Sequence, residues 1–134
     1  MKIHIADGTV LFDKGDIGPR LDKPSFLKSR IGKASETIVT TGPFVTFRFH
    51  PEPGISGAAR FENNRLNELS VLFHMPSDDA REWTEELELA RKKVHDEWLH
   101  TELGAPPYRF SWGEVASVFD PKGCVSDIIV RYAK

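Results

Sequence analysis

Between residues 75 and 83 the hydrophobic period of the chain changes, and this constrains its fold more than any other feature. Upstream, in FVTFRF, Val45, Phe47 and Phe49 alternate with Thr46, Arg48 and His50, the period of two that marks a half-buried strand. Downstream, Trp83, Leu87, Ala90, Val94 and Trp98 recur at steps of 4, 3, 4 and 4, the stripe of an amphipathic helix. The spacing predicts one helix over about 77–103, with Ser77 as N-cap, Asp78 and Asp79 where the helix dipole favours anions, and Gly104-Ala-Pro-Pro as the stop. At 1.5 Å per residue such a helix is roughly 40 Å long, enough to span a sheet.

The remaining punctuation reads as tight turns between strands. Asp7-Gly8 joins Lys2–Ile5 to Thr9–Phe12, Gly42-Pro43 joins TIVTT to FVTFRF, and Asn63-Asn64 joins 56–62 to 65–75; glycine and asparagine tolerate the positive φ such turns need. HPEPG, residues 50–54, is expected to end the preceding strand, because proline donates nothing to a ladder. The irregular 13–35 segment holds one or two helical turns at KPSFLKS, with Asp22 as cap and Phe26 and Leu27 inward. In FSWGEVASVFDPKGCVSDIIVRYA, Asp120-Pro-Lys-Gly123 has the residues of a type I turn with Gly123 left-handed. Pairing Asp120 with Cys124 sets Phe119 opposite Val125, Ala116 opposite Ile128 and Trp112 opposite Tyr132. Glu114 is then the sole charge on an apolar face, explained by a buried arginine partner, by exposure at the strand end or by a functional acid. Strands, one long helix, then two more strands give the α+β class: a mostly antiparallel sheet of about six to eight strands with the helix packed across one face.

The 134 residues fit a single domain, 1–134, large enough to bury roughly two-thirds of its unfolded surface. Cys124 is the only cysteine, so no internal disulfide forms, and no zinc spacing occurs. With Asp7 and Gly8 interrupting the N-terminus and no long apolar run, the expected location is the cytoplasm. The net charge of −2 gives no reason to expect nucleic acid. Its distribution is uneven: 20–33 carries Arg20, Lys23, Lys28, Arg30 and Lys33 against Asp22, and 78–88 carries Asp78, Asp79, Glu82, Glu85, Glu86 and Glu88 against Arg81. The basic stretch has neither a phosphate cradle nor interleaved aromatics.

No catalytic motif stands out. Cys124 lacks a local histidine base, and His95 and His100, five apart on a helix, diverge by about 140° rather than converging on a metal. Glu82, Glu85, Glu86 and Glu88 read as a solvated helix face.

FENNRL, ARKKVHDEWLHTELGAPPYRFSWGEV and FDPKGCVSDIIVRY together resemble small uncharacterised bacterial cytosolic α+β proteins, over roughly residues 24–133. In type, a domain of this size with a charged helix and no active-site motif is similar to immunity proteins that neutralise bacterial toxins. That likeness implies a protein partner such as a toxin, while the residues themselves point to no cofactor, no catalytic residue and no metal. The sequence reading is therefore a non-enzymatic protein-binding domain of immunity type, with Asp79, Glu82, Glu86, Arg48 and His50 as contact candidates. No membrane is involved, and a homodimer is compatible with the sequence. The alternative is a small enzyme or small-ligand binder whose site lies between helix and sheet near His50, His74 and Glu114.

Overall fold

The computed structural model describes residues 1–79 and 83–134. A small antiparallel sheet of β1 (Lys2–Ile3), β2 (Val10–Phe12) and β3 (Gly15–Ile17) opens the chain, followed by helices α1 (Lys23–Lys28) and α2 (Arg30–Lys33). Then come β4 (Glu36–Thr41), β5 (Phe44–Glu52), β6 (Ile55–Glu62), β7 (Arg65–Phe73), a 3-10 turn (Pro76–Asp79), α3 (Glu85–Leu103), β8 (Tyr108–Phe110), β9 (Gly113–Asp120) and β10 (Val125–Tyr132). The last seven strands form one antiparallel sheet in the order β4-β5-β6-β7-β10-β9-β8. This is the expected α+β architecture. β10 enters between β7 and β9, joining the hairpins before and after the helix.

One face of the sheet carries the core. Phe47 and Phe49 lie opposite Ala59 and Gly57, Leu69 and Val71 opposite Ala59 and Gly57 in turn, and Val130 and Ile128 opposite Leu69 and Val71. Phe26 of α1 fills the centre of its half, with ring centroids 5.5, 5.9 and 5.3 Å from Phe47, Phe49 and Phe61. Asp22 caps α1 by accepting from Ser25 N at 2.8 Å, as expected. Phe26 is fully buried, but Leu27, also expected inward, is 41% exposed. α3 packs on the same face over β7, β10 and β9, and the opposite, outer face has no covering layer among the described residues.

The N-terminal turn docks on the far hairpin. Tyr132 Oη donates to Gly8 O at 2.8 Å and Trp112 Nε1 to Ile5 O at 2.6 Å. Gly8 has φ 81°, and a Cβ there would lie 2.4 Å from the Trp112 ring, so both conformation and packing demand glycine. The strand expected to end at HPEPG instead runs through Pro51 to Glu52, with a register shift after Phe49. A bulge gives proline a place where no ladder bond is lost.

Two sequence expectations shift along the chain. In the last hairpin Asp120 pairs with Val125, Ala116 with Ile129 and Gly113 with Tyr132. Cys124, at φ 48°, takes the left-handed position expected of Gly123, while Asp120 Oδ1 accepts from Lys122 N at 3.0 Å. A one-residue slip exchanges the faces of β9: Val115, Ser117 and Phe119 point to the core, and Glu114 moves outward opposite Arg131. The Cys124→Gly variant is expected to match or exceed wild-type stability, because glycine adopts this φ without a Cβ clash. Cys124→Ser should lose no more than about 1–2 kcal/mol. Urea midpoints compare the two, and a glycine variant less stable than the serine one would contradict this.

The helix is the second shift. It begins at Glu85 with Thr84 Oγ1 accepting from Leu87 N at 3.1 Å, so Thr84, not Ser77, is the N-cap. Its buried side chains are Glu88, Arg91, His95 and Leu99. Trp83 and Ala90 of the expected stripe are exposed, and Leu87, Val94 and Trp98 are half-buried.

Candidate functional site

A helix that buries Glu88, Arg91 and His95 requires explanation, since buried charge is costly unless paired and hydrogen-bonded. The reason lies in the sheet beneath it. The β7–β10 ladder ends at the Val71–Ile128 pair; the residues that would pair next, Phe73 and Ser126, turn their peptide groups to α3 instead. Phe73 N donates to His95 Nε2 at 3.0 Å and Phe73 O accepts from Arg91 Nη1. Ser126 N donates to Glu88 Oε1 at 2.9 Å, and Ser126 Oγ donates to Glu88 O at 2.6 Å. The helix side chains thus replace ladder bonds where two strands splay, satisfying backbone groups that would otherwise be buried unpaired.

Arg91 ties the cluster together. Its Nε and Nη2 donate to the Glu88 carboxylate at 3.0 and 3.1 Å, and its Nη1 donates to Asp78 Oδ2 at 3.0 Å, with Nη2 on Oδ1. Burial pulls the Arg91 guanidinium down, but Asp78 and Glu88 outweigh it and hold it above the ordinary arginine value. The Arg91 hydrogen bond, with help from Met75 N, holds Asp78 below the usual carboxylate range. Glu88 was expected on a solvated face; it is fully buried, because its carboxylate is the acceptor for Arg91 and Ser126. Each of these groups is engaged in holding the fold.

Two titratable groups next to the cluster respond to pH in opposite senses. Burial, then the Arg91 charge, lowers His95 to about 4, so its imidazole is neutral. The Phe73 N–H assigns the acceptor to Nε2 and the proton to Nδ1, which has no partner among the described residues. With its folded value depressed, His95 contributes stability above about pH 6.5 that is lost as pH falls toward 4. Burial, then the Glu88 charge, raises Asp127 to about 6. With its folded value raised, Asp127 favours the fold below its ordinary value of 3.8, and this is lost as pH rises through 6. Asp127→Asn is therefore expected to stabilise the protein by on the order of 1 kcal/mol at pH 7–8 and to have little effect near pH 4. Urea unfolding at the two pH values checks this; a pH-independent effect would contradict it.

The outer face is organised by charge. Arg60, Glu68, Arg131, Glu114 and Arg109 lie opposite one another in succession across β6, β7, β10, β9 and β8. Arg131 Nε lies 2.9 Å from Glu68 and its Nη1 3.6 Å from Glu114. Glu114 is thus answered by an arginine, but an exposed one across the strand rather than a buried one. Arg48 and His50 stand two apart on the same face of β5. Arg48 Nε donates to Glu36 Oε1 at 2.9 Å; His50 Nδ1 lies 3.3 Å from Ser56 Oγ, which is 2.7 Å from His74 Nε2. Arg48, Glu36, His50 and His74 are exposed and Ser56 is half-buried. Of the expected contact residues, Arg48 and His50 are brought together. Glu86 is exposed on the first turn of α3, on the other side of the sheet. Asp79 closes the 3-10 turn, and Glu82 lies outside the described residues.

A cavity of about 510 Å³ does lie between helix and sheet, lined by Lys92, Asp96, His100, Tyr108, Arg109 and Glu114 among others. The alternative site expected there near His50, His74 and Glu114 is not assembled: Glu114 lines the cavity, while the two histidines stand on the outer face at the far end of β5–β7. Among the described residues no group of three His, Cys, Asp or Glu side chains is placed to hold a metal ion, and no helix is long and apolar enough to cross a membrane. Sequence reasoning missed Glu88, Arg91 and His95. The available signal was their spacing, which continues to Leu99 at helical steps of 3, 4 and 4.

No protein-family model matches the sequence, and no curated protein matches it. A chain in the solved structure of Rhs1-CT in complex with cognate immunity protein RhsI1 is similar in fold, with a TM-score of 0.62 at 14% identity, over 98% of this chain and 86% of that one.

Proposed function

We propose that this is a single-domain, cytoplasmic bacterial protein that binds another protein, acting as an immunity-type inhibitor that occludes a toxin. The observation that carries this reading is the fold shared over 98% of the chain with a member of a complex between Rhs1-CT and its cognate immunity protein. The arrangement of charge supports it. The buried titratable groups are spent on holding α3 to the sheet, whereas the outer face is broad, uncovered and polar, as a preformed docking surface must be. A typical stable interface buries on the order of 800 Å² per partner, within the reach of a seven-stranded sheet face.

On this reading Arg48 and His50, with His74 and Arg60 beside them, meet the partner, and charge complementarity sets association rate and partner choice. Asp79, Glu82 and Glu86 remain contact candidates, of which Glu86 is exposed on the first turn of α3. The test is co-expression with a cognate toxin domain. Wild-type protein is expected to restore growth, and the Arg48→Glu/His50→Glu double variant to fail while folding normally. Restoration by the double variant removes the outer face from the interface; no restoration by wild type against its cognate toxin overturns the immunity reading.

A further inference from the structure

β8 covers only the start of the outer edge of β9. Tyr108, Arg109 and Phe110 pair with Val115, Glu114 and Gly113. β9 then continues to Asp120, paired with β10 without interruption, but with no described strand on its other side. Antiparallel strands direct alternate residues' N–H and C=O groups to each neighbour, so Ala116–Asp120 presents a straight row of outward peptide groups. This open stretch is about 16 Å long. The chain does not close it by lengthening β8, because Pro106 and Pro107 precede Tyr108 and proline has no N–H to offer.

The surroundings of this edge are shaped for an occupant. The cavity of about 510 Å³ lies alongside it, with Lys92, Asp96 and His100 of α3 on one wall and Ala116 and Ser117 on the other. Leu89, three residues before Lys92 on the same helix stripe, is 48% exposed, and Trp83 is 63% exposed. Trp83 Nε1 donates to Cys124 O at 2.7 Å, which fixes the indole at the Asp120 end of the edge. The other open edge, β4, differs: its register shifts between Thr37 and Val39, and such bulges blunt a strand as a template.

We propose that the Ala116–Asp120 edge of β9 takes an extended segment of a protein partner as an added strand, with side chains from one face of that strand entering the cavity beside α3. The row of peptide groups is matched only by a chain in the β conformation, and the apolar Leu89 and Trp83 supply the aromatic and aliphatic anchors that dominate interface energy. A second copy pairing edge to edge is the competing occupant, and its dependence on protein concentration distinguishes it. The inference rests on the protein-binding reading for the class of partner, but it names a surface distinct from Arg48 and His50.

Random linear peptides displayed on phage are selected against the full-length protein, and hydrogen exchange is followed in the resulting complexes. Selected peptides should slow exchange of alternate amides within 116–120. Their affinity should fall at least tenfold in Leu89→Glu and in Ala116→Arg, and should be unchanged in Ile38→Glu on the β4 edge. Leu89 is surface-exposed, so its variant reports even if Ala116→Arg fails to fold. Selection of no peptide, protection confined to other amides, or protection of 116–120 that grows with protein concentration alone overturns the proposal. Toxin neutralisation with these amides left unprotected sinks the edge proposal and leaves the inhibitor reading standing; peptide protection without neutralisation does the reverse.

Discussion

Replacing Arg91 with leucine is expected to destabilise the protein by about 3–5 kcal/mol, the range found when one partner of a buried ion pair is removed. The guanidinium is almost wholly buried and bonds Glu88, Asp78 and the Phe73 carbonyl at once. Without it, a fully buried carboxylate loses its counter-charge and a carbonyl at the end of β7 loses its donor. Removing the Glu88 charge as well, in Glu88→Gln/Arg91→Leu, should recover part of the loss, since most of the penalty is the uncompensated carboxylate. Urea unfolding of the wild type, both single variants and the double variant gives the coupling. A cost below about 1 kcal/mol for Arg91→Leu, or strictly additive effects, would show that the cluster does not clamp α3 to the splayed strands.

Phe26→Ala should be comparably severe, at about 3–5 kcal/mol, as deletion of a large buried aromatic leaves both lost burial and a cavity. Its ring lies within 6 Å of Phe47, Phe49 and Phe61 and joins the short α1 to two adjacent strands of the sheet. The neighbouring Leu27→Ala, at a position 41% exposed, is expected to lie within about 0.5 kcal/mol of wild type. Equal losses at the two positions would contradict the assignment of Phe26 as the residue that anchors this helix.

The fold was legible wherever local chemistry and tertiary packing agree. Asp22 caps α1, Gly8, Gly42 and Asn63 take the positive φ their turns require, and alternation along β5 puts Phe47 and Phe49 in the core. The helix face was misread for a physical reason. Periodicity counts apolar residues, but here the buried positions are Glu88, Arg91 and His95, because backbone groups of Phe73 and Ser126 need partners. The β9–β10 register slipped because the turn puts Cys124, not Gly123, in the left-handed position, a choice composition does not signal. β3 was not anticipated: Gly15–Ile17 has three residues and little pattern. For the candidate site, sequence alternation placed Arg48 and His50 on one face, but their isolation from Glu86 depends on which side of the sheet α3 occupies, a long-range outcome no local pattern encodes.

The most direct test of the central claim, that this protein works by docking another protein on its outer sheet face, is titration calorimetry with a cognate toxin domain. Wild-type protein is compared with the Arg48→Glu/His50→Glu double variant. A one-to-one complex is expected for the wild type and at least a tenfold loss of affinity in the double variant, whose unfolding free energy stays within a few tenths of a kcal/mol of wild type because both side chains are exposed. Equal affinities for the two proteins, or no heat of binding for the wild type, would contradict it.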